Sequence, residues 1–134
     1  MKRVFVDTSA WYSYARADDP DHAAVKDCLK KWEGRLVASN FIFDETVTLV
    51  RARAGHHAAL RVGEVLRDPR VVEIARINSE DEEDAWAFFR RHRDKAFSFT
   101  DCTSFALIRR LRLEIAISTD RHFRQAGFDV QPDA

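Results

Sequence analysis

Residues 4–9 read Val4-Phe5-Val6-Asp7-Thr8-Ser9. Three apolar residues in unbroken succession are the pattern of a short strand buried on both faces, as in a parallel sheet. An acid follows the strand directly, and hydroxyl residues follow the acid. Residues 115–120 are organised alike: Ile115-Ala116-Ile117, then Ser118-Thr119, then Asp120. Leu36-Val37-Ala38 reads as another short strand, residues 71–77 as a further one, and Phe128 to Val130 as an edge strand.

Helical patterns fill the intervals. Residues 9–16 are expected to be helical, broken by Asp18-Asp19-Pro20. Pro20 suits the first position of the next helix, with Asp19 as its cap. That helix spaces Val25, Cys28, Leu29 and Trp32 along one face and ends at Gly34, where a left-handed residue stops a helix readily. Ser39 or Asn40 caps a third helix running to about Gly55, and a fourth follows from His56 to Arg67, with Pro69 beyond it. Ser79 opens a fifth, to about Lys95; Ser98 caps a sixth, to about Leu113; a short last helix ends at Gly127. Alternation of this kind predicts an α/β fold: a three-layer α/β/α arrangement around a central parallel sheet of four to five strands. No linker or repeat interrupts it, so residues 1–134 are expected to form one domain.

Composition narrows the function classes. Lys plus Arg equals Asp plus Glu, at 22 each, so bulk charge does not announce a polyanion binder. No run approaches the roughly 18 apolar residues of a membrane span, and the N-terminus lacks the apolar region of a signal peptide. The two cysteines, Cys28 and Cys102, lack metal-ligand or CxxC spacing, and they read as small buried hydrophobes. A cytoplasmic setting is the expectation.

Ligands of open α/β sheets bind beyond the carboxyl ends of the strands, near the point where strand order reverses. Asp7 and Asp120 occupy that position in sequence, although an Asp after a strand is also a common helix cap. Asp101 falls on a helical stripe with Phe105 and Ile108, where an ionised carboxylate needs a partner. Equally, Ser98 and Asp101 have the spacing of a capping box. In the helix after Asn40, Glu45 and Asp44 flank opposite edges of the apolar arc, and geometry does not choose between them.

Four stretches taken together resemble the PIN-domain family, in particular the VapC toxins of bacterial and archaeal toxin–antitoxin pairs. They are Val-Phe-Val-Asp7-Thr-Ser-Ala-Trp, Phe-Asp-Glu45-Thr-Val-Thr-Leu-Val-Arg, Phe-Ser-Phe-Thr-Asp101-Cys-Thr-Ser-Phe-Ala, and Ser-Thr-Asp120-Arg-His-Phe-Arg-Gln-Ala-Gly-Phe. The resemblance implies Asp7, Glu45, Asp101 and Asp120 as catalytic acids and metal ligands, and so selects Glu45 over Asp44. Thr8, Ser9 and Ser118 match the family's hydroxyl positions and are expected to support those ligands by hydrogen bonds. The activity implied is metal-dependent hydrolysis of RNA phosphodiester bonds. Oxygen ligands without a His or Cys cluster suit Mg²⁺, or Mn²⁺, over zinc. The resemblance also implies a VapB-like antitoxin, a homodimer, and a structured RNA substrate such as tRNA.

Other readings compete. A solitary RNA-processing ribonuclease would share the four acids, and a PIN-like interaction module would not need them. A phosphatase using Asp7 as nucleophile would pair it with an acid two residues on, where Ser9 stands, and with a late Lys, which is missing after Lys95. The run Glu80 to Asp84 reads as the acid-rich first turn of a helix, with Ser79 and Glu82 as capping box. Arg90, Arg91, Arg93 and Lys95 suit the other end of that helix by the same dipole, or alternatively RNA phosphates. His56, His57 and His122 form no metal-ligand pattern, but His122 follows Asp120 closely enough to lie near it. Trp11, Trp32 and Trp86 read as core or interface anchors; Trp11 and Tyr12, just after Asp7, are the best candidates for stacking on a base.

Overall fold

The computed structural model describes residues 2–133; Met1 and Ala134, the ends of the expected 1–134 unit, lie outside the described residues. Five parallel strands are ordered β3-β2-β1-β4-β5: β1 (Val4–Val6), β2 (Leu36–Ser39), β3 (Val72–Ala75), β4 (Ile115–Ile117) and β5 (Asp129–Gln131). The helices flank this sheet. They are α1 (Thr8–Ala15), α2 (His22–Lys31), α3 (Asn40–Ala54), α4 (His56–Leu66), α5 (Ser79–Arg91), α6 (Phe99–Arg110) and α7 (His122–Gln125).

The strands that read as unbroken apolar runs are the central ones. Val4, Phe5 and Val6 are wholly buried, because β1 is paired on both edges, with β2 and with β4. Strand order reverses between β1 and β4: successive strands step outward to one side through β2 and β3, then return to the other. Phe105 and Phe123 stack edge-on at 5.0 Å, and Phe123 lies 6.1 Å from Phe5. The core beneath the switch point is therefore aromatic and closely filled.

Several boundaries differ from expectation for local reasons. The second helix begins at His22, not Pro20, and Asp21 stands at its cap without a side-chain bond. The carboxylate of Asp19 is spent instead on the Asp21 N–H, holding a turn ahead of the helix. β3 is shorter than residues 71–77, and Ile77 leaves the sheet to donate its N–H to Asn40 Oδ1 at 2.7 Å. The box that starts α5 is Asn78 with Asp81, one residue ahead of the expected Ser79 with Glu82. Asp81 is buried and paired with Arg110 at 2.8 Å, so tertiary packing chose the register. α5 stops at Arg91, short of Lys95. α6 ends through Arg112, which is left-handed at φ 56° without being a glycine.

Candidate metal centre

Asp7 leaves the carboxyl end of β1 as the cap of α1, its side chain accepting from the Ser9 N–H. Three donors converge on one oxygen, Oδ2: the Ser9 N–H at 3.3 Å, the Ser9 hydroxyl at 2.7 Å and the Ser118 hydroxyl at 3.2 Å. Asp101 sits in the first turn of α6. Its Oδ2 accepts from the Ser98 N–H at 3.0 Å and from His122 Nδ1 at 2.8 Å. Asp120, beyond β4, accepts the His122 backbone N–H on Oδ1 at 2.9 Å. Each aspartate is thus oriented through one oxygen, and among the described residues nothing donates a hydrogen bond to its second oxygen.

The cap reading and the site reading are compatible for Asp7 and Asp101, because one carboxylate has two oxygens. The capping box of Ser98 and Asp101 is complete, with the Asp101 N–H donating to Ser98 Oγ at 2.9 Å. Glu45 extends from the second turn of α3; it is half-buried, whereas Asp44 is exposed. Thr8 on α1 faces this stretch of α3, its hydroxyl accepting from Thr46 Oγ1 at 3.4 Å.

Electrostatics sets these acids apart. Asp7, only 3% exposed, has its pKa pushed up to about 8 by burial first, then by the charges of Asp120 and Asp101, against the Ser9 hydrogen bonds. Burial also raises Asp101, reinforced by Asp120 and opposed by Ser98 and His122. Glu45 is raised by burial and by Asp101, Asp120 and Asp44, with Thr8 opposing. Among the described residues, no Lys or Arg is ion-paired with any of the four. Three aspartates, each with a spare oxygen and, among the described residues, with no Lys or Arg paired to it, fit a hard divalent cation.

Ligating atoms of Asp101, Asp120 and His122 lie within 4.8 Å of one another. His122 is the member that sequence reasoning placed only near the site. Its short bond to Asp101 shows the ring engaged with a carboxylate, and its backbone fixes Asp120, so one residue orients two acids. The signal available was the two-residue step from Asp120 to His122. Of the aromatic candidates, Trp11 is buried in the core, Tyr12 is half-buried, and Trp86 is 52% exposed on α5. Both cysteines are buried, and burial raises both thiols, Cys102 to about 11. No described helix is long and apolar enough to cross a membrane.

The comparisons agree with this architecture. The PIN domain profile matches residues 4–129. The 23S rRNA-specific endonuclease VapC20 of Mycobacterium tuberculosis is 35% identical over 131 residues, covering 97% of this chain and 99% of that protein. Ribonuclease VapC26 of the same organism is 31% identical over 121 residues, 90% of this chain and 89% of that protein. The crystal structure of VapC20, described as a sarcin–ricin loop cleaving toxin, matches with a TM-score of 0.88 at 34% identity, over 93% of this chain and 95% of that one. DNA-bound VapBC from Salmonella typhimurium shares the fold alone, with a TM-score of 0.72 at 12% identity over 98% of both chains. With its carboxylates gathered at the switch point of a parallel sheet, the chain belongs to the PIN-domain family and is an endoribonuclease of the VapC type.

Proposed function

We propose that the protein is the toxin of a VapBC-type pair, and that it cuts structured RNA with Mg²⁺, or Mn²⁺, held by Asp7, Asp101 and Asp120 with Glu45 alongside. The observation that carries this reading is the shared design of the three aspartates: one oxygen tied down, one left over and, among the described residues, no Lys or Arg paired with them. A divalent ion bound there supplies Lewis acidity toward a phosphate oxygen and lowers the pKa of water. The chain's part is preorganisation. Ser9 and Ser118 fix Asp7, Ser98 and His122 fix Asp101, and the His122 backbone fixes Asp120, so the acids need not reorient when the ion or the substrate arrives. Oxygen donors predominate, which favours Mg²⁺ or Mn²⁺ over softer metals.

The substrate reading rests on VapC20. A structured loop of the 23S rRNA class is favoured, and tRNA is the competing structured RNA. A VapB-like antitoxin is the expected inhibitor, since VapBC complexes share this fold. A second copy of the chain is the expected oligomeric partner. The test is cleavage of a 23S rRNA fragment containing the sarcin–ricin loop, beside bulk tRNA, with Mg²⁺ titrated into metal-free protein. Cleavage that rises with Mg²⁺ and disappears in Asp7→Asn and Asp101→Asn supports the reading. Full activity of both variants in EDTA overturns it, and cleavage of tRNA alone reassigns the substrate.

A further inference from the structure

We propose that the seam between α1 and α3 carries a subsite for an RNA backbone phosphate flanking the cut, with Arg53 as the contact and Tyr12 as its support. This rests on the ribonuclease reading and adds a positioning group that lies outside the acid cluster.

The seam starts at the candidate metal centre, where Thr8 on α1 meets Thr46 on α3, the neighbour of Glu45. Tyr12 stands one turn beyond Thr8. Arg53 lies eight residues beyond Glu45, a little over two turns farther along α3, a rise of about 12 Å. A short stretch of extended RNA spans that distance. Two guanidinium groups lie over the Tyr12 ring, Arg16 at 5.8 Å and Arg53 at 5.5 Å from its centroid.

Their partners differ. Arg16 has spent its fork: Nε and Nη2 donate to Asp18 at 3.1 and 2.9 Å, and Nη1 donates to Tyr12 Oη at 3.0 Å. Arg53 is exposed, and among the described residues no carboxylate pairs with it. One charge of the pair is therefore neutralised and the other is not. An exposed guanidinium held over the ring, with no carboxylate among the described residues paired to it, keeps its fork of donors available for bidentate contact with a phosphate. With its ring covered by two guanidiniums, Tyr12 serves as their support and not as a stacking face for a base. The seam thus has an acid end suited to a cation with the scissile phosphate, and a cationic end suited to a neighbouring phosphate.

The experiment measures affinity for a fluorescein-labelled RNA hairpin carrying the sarcin–ricin loop, by anisotropy across a KCl series. Wild type, Arg53→Ala, Arg53→Lys and a distant control, Lys31→Ala, are compared. Loss of one single-strand phosphate contact makes the slope of log affinity against log salt shallower by about 0.7. That change is expected for Arg53→Ala, whereas Arg53→Lys and Lys31→Ala keep the wild-type slope. In cleavage assays Arg53→Ala raises KM more than it lowers kcat. An unchanged slope in Arg53→Ala, with wild type binding and cutting normally, overturns the subsite alone. If wild type neither binds nor cuts the RNA, the ribonuclease reading falls and the subsite falls with it.

Discussion

Asp7 combines two demands within one side chain. Its Oδ2 holds the start of α1, while burial and two neighbouring carboxylates press it toward the protonated form. The sign of the resulting pH dependence follows from linkage. The folded-state pKa, about 8, lies above the unfolded value near 3.8, so the folded state holds the proton more tightly. That contribution to stability is fully present below the unfolded pKa and is lost as pH rises through the folded one. In EDTA, the melting temperature of wild type should therefore fall relative to Asp7→Asn as pH is raised between those two values. Added Mg²⁺ should restore wild type and leave the variant unmoved. Thermal melts of both proteins over a pH series check this, and a pH-independent gap between them would contradict it. The same substitution should lower kcat by roughly 10²–10³-fold or more, since Lewis-acid stabilisation worth several kcal/mol depends on it. Ser118→Ala removes the hydroxyl that donates to Asp7 Oδ2 at 3.2 Å, meets Ser9 Oγ at 3.1 Å and accepts the Asp120 N–H at 3.3 Å. It should weaken Mn²⁺ binding about 10–100-fold, read by calorimetric titration, with the fold intact.

At the scale of elements, the sequence disclosed type and order well and register less well. β1 and β4 were legible because strands buried on both faces carry no polar alternation, and their trailing acids pointed to the carboxyl end of the sheet as the candidate site. The start of α5 was not legible: Asn78 and Ser79 are both good caps, and the choice was made by Asp81 reaching Arg110 from a distant helix. Asp101 and Glu45 show a second limit. Spacing found the capping box of Asp101 but could not reveal that its Oδ2 also receives His122. Glu45 differed from Asp44 only through packing against α1, and family resemblance selected it first. Gly55, by contrast, was readable as a stop and has a sharper role as the hinge between α3 and α4. Its φ of 94° with ψ of 172° belongs to a region essentially reserved for glycine. A Cβ there would meet nothing within 4 Å, so Gly55→Ala isolates backbone strain from crowding. It should cost about 1–3 kcal/mol in urea unfolding. A neutral result would show that the α3–α4 connection relaxes.

The whole molecule balances 22 acidic against 22 basic residues, and α5 carries the two signs at its opposite ends. Glu80 to Asp84 occupy its first turns, and Arg90 and Arg91 its last, with Arg93 and Lys95 just beyond. Between them Trp86 and Phe89, 52% and 40% exposed, stack at 5.9 Å and continue into Phe99 and Phe41. Large aromatic groups left in water beside a strongly charged rim are the composition of an association surface. Two copies of α5 laid antiparallel about a two-fold axis through the aromatic centre would set each acidic half against the partner's basic half. An isologous contact has to be self-complementary in this way. The acids near Trp86 make the same patch a poor seat for RNA phosphates. Sedimentation equilibrium should therefore report a dimer for wild type and a monomer for Trp86→Asp. Reversing one end with Arg90→Glu should weaken the dimer, and adding Glu83→Arg to it should recover association, because the two reversals restore opposite charges across the axis. If wild type sediments as a monomer, or if the double reversal associates no better than the single one, α5 is not the surface that joins two copies.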